Sequence, residues 1–195
     1  MTRLSAIDPE TLQPEWQDRF ESASPRERML LTPTLHAPDW MGELHAFAHQ
    51  IGEMGTLSNR LVELVRLRIA FHNQCRSCMA MRYPSGFEDG VTDDLVCSLE
   101  RPQEAPGLTE AERAALAYAD ISATNHFAIN DETFAALRPH FSEREIVELG
   151  LHIGYFIGFG RLVAAWDMVE ELPGALADKH AEATPWSAET FVFAS

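Results

Sequence analysis

The chain lacks any uninterrupted apolar run of about 18 residues, the length that a transmembrane helix needs. Its first residues, MTRLSAIDPETLQPEW, also lack the apolar core of a signal peptide. A cytoplasmic protein is the expectation. Positive charge is scarce: 15 Lys and Arg stand against 30 Asp and Glu, giving a net charge of −15, and no basic run or arm occurs. Nucleic-acid affinity comes largely from cations that neutralise phosphates, so nucleic acids and anionic membranes are excluded as expected partners. Only three cysteines occur in 195 residues. That is too few for a disulfide framework in a reducing compartment and leaves them catalytic, metal-binding or incidental. No segment alternates apolar and polar residues as a half-buried strand would.

Apolar residues are not lacking: they make up 46% of the chain, ample for a core in one compact domain or two small fused halves. The periodicity is helical almost throughout. Leu44, Phe47, Ala48 and Ile51 recur at helical spacing, as do Leu61, Leu64, Val65 and Ile69. Ser24 with Glu27, Thr109 with Glu112, and Ser142 with Glu145 read as capping boxes, in which two side chains satisfy orphan backbone donors reciprocally. The expected fold class is all-α, with helices over 14–22, 25–31, 40–53, 59–72, 74–83, 92–99, 110–123, 131–138, 143–157 and 161–171.

The proline-rich stretch 101–107 reads as a surface connection between two related halves, about 25–100 and 108–172, of one helical domain at 25–172. The halves superpose at an offset of 85, where VEL at 62–64 meets VEL at 147–149 and Glu63 meets Glu148. Under that offset Cys75 falls on Gly160, Cys78 on Val163 and Arg82 on Asp167, so the second copy has no thiols. In that copy Gly150, Gly154 and Gly158 recur every four residues, a spacing that predicts close approach by a neighbouring helix. Residues 1–24 are an extension, and the tail 173–195 carries Trp186, Phe191 and Phe193, which suggests docking on a neighbouring subunit.

Chemistry is concentrated in ELVRLRIAFHNQCRSCMAMR, residues 63–82. Cys75 and Cys78 form a Cys-x-x-Cys pair where a helix is expected to begin. Helix starts lower thiol pKa through free N–H groups and the positive dipole end. Asn73 is placed to cap that helix, and Arg76 and Arg82 to bring positive charge near the sulfurs, all favouring thiolate. The ordinary alternative is a pair of small buried hydrophobes. Glu63 would usually sit on a solvated helix face, but its run is otherwise apolar. Buried beside the cysteines, it would have a raised pKa and serve as a proton acceptor near neutral pH. A zinc site is disfavoured because no second Cys-x-x-Cys pair exists. His45 and His49 are an i, i+4 pair, but Ala46 occupies the place of the metalloprotease glutamate. Neither a metal nor a cofactor is expected. Cys97 stands apart, and His126, His140 and His152 are read as local hydrogen-bonding residues.

A glutamate, eleven residues and Cys-x-x-Cys in an all-helical frame resemble the alkylhydroperoxidase D and carboxymuconolactone decarboxylase superfamily. The resemblance runs over about 25–172, through LLTPTLHAP, LVELVRLRIAFHNQCRSC and FSEREIVELGLHIGYFIGFGRLV. It implies a homo-oligomer, commonly a trimer or hexamer, and, in the peroxidase branch, antioxidant reduction of peroxides through a dithiol/disulfide cycle. By the same resemblance Cys78 is the peroxidatic thiol, Cys75 its resolving partner and Glu63 the base of a proton relay. The family's histidine, four residues after the second cysteine, is here Arg82, which cannot accept a proton. Arg82 is then expected to stabilise the thiolate, with His72 as a substitute in the relay. The expected partners are a small peroxide and an external dithiol reductant, either a lipoylated or thioredoxin-like protein or a small thiol. Two alternatives remain: a decarboxylase-type lyase and a non-catalytic oligomeric redox sensor.

Overall fold

The computed structural model describes residues 2–187 and 189–192. Within them ten α-helices follow one another: α1 (Pro14–Ser22), α2 (Pro25–His36), α3 (Pro38–Met54), α4 (Asn59–His72), α5 (Arg76–Ala80), α6 (Pro84–Glu88), α7 (Asp93–Ser98), α8 (Glu110–Thr124), α9 (Asp131–Leu137) and α10 (Glu143–Trp166). The all-α reading holds. A single short parallel pair joins β1 (Met81–Arg82) to β2 (Phe191–Val192), with Met81 opposite Phe191.

The three expected capping boxes all close, and Asn130 with Thr133 forms a fourth. Each satisfies helix-start donors that would otherwise need water, an effect of about 1 kcal/mol per cap. Helix α4 is the hub because its apolar positions surround it. Leu64, Val65, Leu67 and Ile69 have no exposed surface, and the helix lies against both α8 and α10. Burying each such side chain is worth roughly 1.5–3 kcal/mol. Arg60–Glu112 at 2.5 Å and Arg68–Asp120 at 2.7 Å fasten α4 to α8.

Three element boundaries differ from expectation. Helix α2 runs through Pro33 to His36, because its last turn buries Pro33, Thr34 and Leu35 and so outweighs the lost backbone bond. Helix α10 is one rod of 24 residues, where the sequence suggested two helices. Its length and composition would suit a membrane span, but its buried positions include Glu148 and His152. Glu148 accepts from the Thr56 and Leu57 backbone N–H groups at 2.9 Å, which fixes the approach to α4. The third difference is the segment 74–83: only five residues are helical before the chain turns extended at β1.

The glycine stripe does not receive a neighbouring helix. A Cβ on Gly154 or Gly158 would meet nothing within 4 Å, and one on Gly150 would meet only the Tyr118 hydroxyl at 3.7 Å. The tail folds on its own chain. Trp186 packs on Phe71 at 4.6 Å between ring centres, and the guanidinium of Arg26 lies 4.4 Å from the Phe191 ring centre. Phe193 lies outside the described residues.

Candidate active site

Helix α4 stops because Gln74 takes a left-handed conformation (φ 50°), after which the Cys75 N–H returns to the Ala70 carbonyl at 3.1 Å. Asn73 does not cap the next helix. Its amide donates across to the Phe156 carbonyl of α10 at 2.9 Å. Gly160 permits that approach, since a Cβ there would lie 2.5 Å from the amide nitrogen. Cys75 itself caps α5, its sulfur accepting from the Cys78 N–H at 3.3 Å. The two cysteines are joined in a disulfide. Their surroundings differ: Cys75 has no exposed surface, whereas Cys78 is half-buried and forms part of the wall of a cavity of about 490 Å³.

Glu63 is buried as expected, but its carboxylate is committed to Arg66 through paired contacts of 2.6 and 2.7 Å. One of its oxygens also accepts the Tyr83 N–H at 3.3 Å. Arg66 goes on to the carbonyls of Cys78 at 2.9 Å and Met81 at 2.8 Å, and its guanidinium lies 4.4 Å from the centre of the Tyr83 ring. Burial disfavours the charge on Arg66, and the adjacent Glu63 carboxylate outweighs it, holding the pKa above the ordinary value. Arg66 reaches the cavity wall, and Glu63 is not among the lining residues. The relay base read from the sequence is therefore one half of a buried ion pair.

The other two arginines expected near sulfur are engaged with the tail. Arg76 donates to the carbonyls of Ala175 at 3.1 Å, Lys179 at 3.3 Å, and Ala181. Arg82 donates to the carbonyls of Met79 at 2.7 Å, Met81 at 3.0 Å and Pro185 at 2.6 Å, so these bonds of its fork tie the thiol turn to the tail and go to carbonyls, not to sulfur. Burial, then the charge of Arg66, lowers its pKa to about 10. His72 points to α8, with Nε2 2.7 Å from Asp120 Oδ1, and does not line the cavity.

The cavity lies among α1, α2, α3, α4, α5 and α10. Tyr155, Phe156 and Phe159 supply an aromatic wall, with Tyr155 stacked on Phe159 at 5.5 Å. Arg66, Cys78 and Tyr83 form the polar end. The exposed side chains of Arg19, Glu27 and His45 border the opening. Burial on its cavity side, followed by the charge of Arg19, lowers the His45 pKa. Its sequence partner His49 turns instead to Glu53, 3.9 Å away. Sequence reasoning passed over Arg66, Tyr83 and His45. An arginine three residues after a glutamate inside an apolar helix was the available signal for the first. Nothing in the spacing marked Tyr83, and the i, i+4 pair of His45 and His49 reads as ordinary helix residues.

Residues 38–120 match the carboxymuconolactone decarboxylase family. The match takes in α3, α4, the cysteine pair and most of α8. Two uncharacterized proteins of Mycobacterium tuberculosis are each 33% identical over 111 residues, which is 56% of this chain. The chain spans only 38% of their length. Among solved structures, a protein of unknown function from Agrobacterium tumefaciens, suggested to be the antioxidant defence protein AhpD, is 25% identical with a TM-score of 0.63. It covers 72% of this chain and 95% of its own. A peroxidase-related protein from Ralstonia eutropha shares the fold at 17% identity and a TM-score of 0.67, over 90% and 94% of the two chains. A debrominase in complex with 2,3,4-tribromopyrrole does so at 19% identity and 0.66, over 90% and 96%. The carboxymuconolactone decarboxylase match and these AhpD-like folds agree with the frame of the cysteine pair.

Proposed function

We propose that the protein is a thiol-dependent peroxidase acting through Cys78 and Cys75. The observation that carries this reading is the asymmetry of the pair: Cys78 faces the cavity and Cys75 is sealed behind it. In the reduced form the Cys78 thiolate attacks the terminal oxygen of a hydroperoxide, forming an S–O bond and breaking the O–O bond. The alkoxide takes a proton and leaves as an alcohol. Cys75 then attacks the Cys78 sulfenic acid, releasing water and closing the disulfide. An external dithiol reduces it by exchange, and a lipoylated or thioredoxin-like protein of the cytoplasm fits that role.

Trapping of the sulfenic acid tests the assignment. After one equivalent of hydroperoxide, Cys75→Ser accumulates a dimedone-reactive Cys78, and Cys78→Ser consumes no peroxide. Trapping only at Cys75 in the Cys78→Ser protein would reverse the roles. Carbon dioxide release from a carboxylated substrate that survives both substitutions would move the reading to the lyase. The aromatic wall favours one further substrate class, a halogenated aromatic of the kind held by the debrominase neighbour. Thiol-dependent halide release from such a compound, with no peroxide consumption, would decide for it.

A further inference from the structure

We infer that Tyr83 is the proton donor of this site, in the place where the family pattern would put the histidine at Arg82. This rests on the peroxidase reading of Cys78. Cys78 sits in the five-residue helix α5, after which β1 and Tyr83 are extended, Tyr83 having φ −87° and ψ 130°. Successive side chains of an extended segment point to opposite sides. Met81 and Tyr83 accordingly line the cavity, and Arg82 between them turns to the Pro185 carbonyl of the tail.

Tyr83 is also held in place. The Arg66 guanidinium lies under its ring, and the same guanidinium is bonded to the Cys78 carbonyl, so one rigid group spaces the phenol from the thiol turn. Glu63 fixes the Tyr83 backbone N–H and orients Arg66, which makes the pair positioning residues. Gly86 keeps the room for this arrangement, because a Cβ there would fall 2.7 Å from Glu63 Cγ. Burial raises the Tyr83 pKa, with Arg66 opposing and Glu63 adding, so the phenol stays protonated at neutral pH. Tyr155, on the facing wall, is raised to about 12 by burial and by the nearness of Tyr83.

In the reaction the Cys78 thiolate gives its electron pair to the terminal peroxide oxygen as the O–O bond breaks. The Tyr83 O–H then passes its proton to the departing alkoxide. The phenolate recovers a proton from solvent through the cavity opening. A donor of this kind matters for a poor leaving group and hardly at all for a good one.

The test compares wild type with Tyr83→Phe, which keeps the ring over Arg66 and removes only the hydroxyl. Both are reduced, freed of reductant and mixed with tert-butyl hydroperoxide or with a peracid, and the rate of Cys78 oxidation is followed. An alkoxide needs a proton to leave, and a carboxylate does not. The expected result is a rate about a hundred-fold slower with the hydroperoxide and changed only a few-fold with the peracid. Equal slowing with both would show a structural role, and no slowing would show that the hydroxyl is idle; either overturns the inference and leaves the peroxidase reading intact. A wild-type protein whose Cys78 reacts with neither oxidant would overturn that reading and this inference with it.

Discussion

Replacing Arg66 by methionine tests the electrostatics of the site most directly. Arg66 and Glu63 are only 4% and 2% exposed and meet at 2.6 Å, so neither charge has water to fall back on. Methionine preserves much of the aliphatic volume, but it leaves a carboxylate buried without its counter-ion. It also removes the donor to the Cys78 and Met81 carbonyls. Breaking a buried pair from one side costs about 3–5 kcal/mol. For a chain of this size each kcal/mol moves the melting temperature by roughly 2–4 °C, so Arg66→Met should melt about 6–20 °C lower.

The double variant Glu63→Leu/Arg66→Met should recover part of that loss, because it removes the stranded charge as well. Differential scanning calorimetry of the wild type, the two single variants and the double variant, all with the disulfide intact, closes the cycle. A loss under about 1 kcal/mol for Arg66→Met, the range of exposed pairs, would refute the claim that this pair is desolvated. Strict additivity across the cycle would refute the claim that the two side chains act as a unit.

Two glycines separate tight packing from open space. Gly86→Ala should destabilise by about 1–3 kcal/mol in urea unfolding, because its Cβ would lie 2.7 Å from Glu63 Cγ. Gly154→Ala, in the interior of α10 with nothing within 4 Å, should be neutral or stabilise by up to about 1 kcal/mol. The opposite order would contradict the packing. Burial opposes the charge on Asp120, but hydrogen bonds from His72 and Arg68 outweigh it and hold its folded pKa below the ordinary 3.8. A depressed carboxylate adds stability that is complete above its unfolded pKa and fades as pH falls through the folded one. Asp120→Asn should therefore narrow its deficit against wild type as pH drops from 6 toward 3 and below. A deficit constant over that range would remove the ion pairs as its cause.

The helical frame was legible because capping pairs and apolar spacing are local. Ser142 and Glu145 announce α10, and the apolar residues around Leu64 announce a buried α4, without knowledge of the rest of the chain. The cysteine pair and the buried Glu63 were legible for the same reason. What Glu63 does was not, because its partner is decided by side-chain direction within one helical turn. Arg66 is three residues away, and a surface pair of that spacing would look identical in sequence. The tail was illegible for a different reason. The Arg76 and Arg82 contacts join residues about a hundred positions apart and leave no periodic trace. Gly160 shows the limit of the duplication: it aligns with Cys75, yet its small size serves the Asn73 amide from the first half.

The change of period after Ala80 governs how the site departs from the pattern of the family it resembles. Had the helix run through 74–83, the residue four places beyond Cys78 would share its face, and Arg82 would stand beside the sulfur. Because the chain is extended from Met81 to Tyr83, sides alternate over these residues, and the position facing the cavity moves from 82 to 83. A histidine at 82 would, in this backbone, be directed at the Pro185 carbonyl and not at the thiol. An arginine there holds three carbonyls at once through its two terminal nitrogens, while its Nε is buried without a hydrogen-bond partner. The turning of Arg82 to the tail and of Tyr83 to the cavity are thus two consequences of one backbone choice. Restoring the histidine by Arg82→His would release the tail and would not rebuild a proton relay.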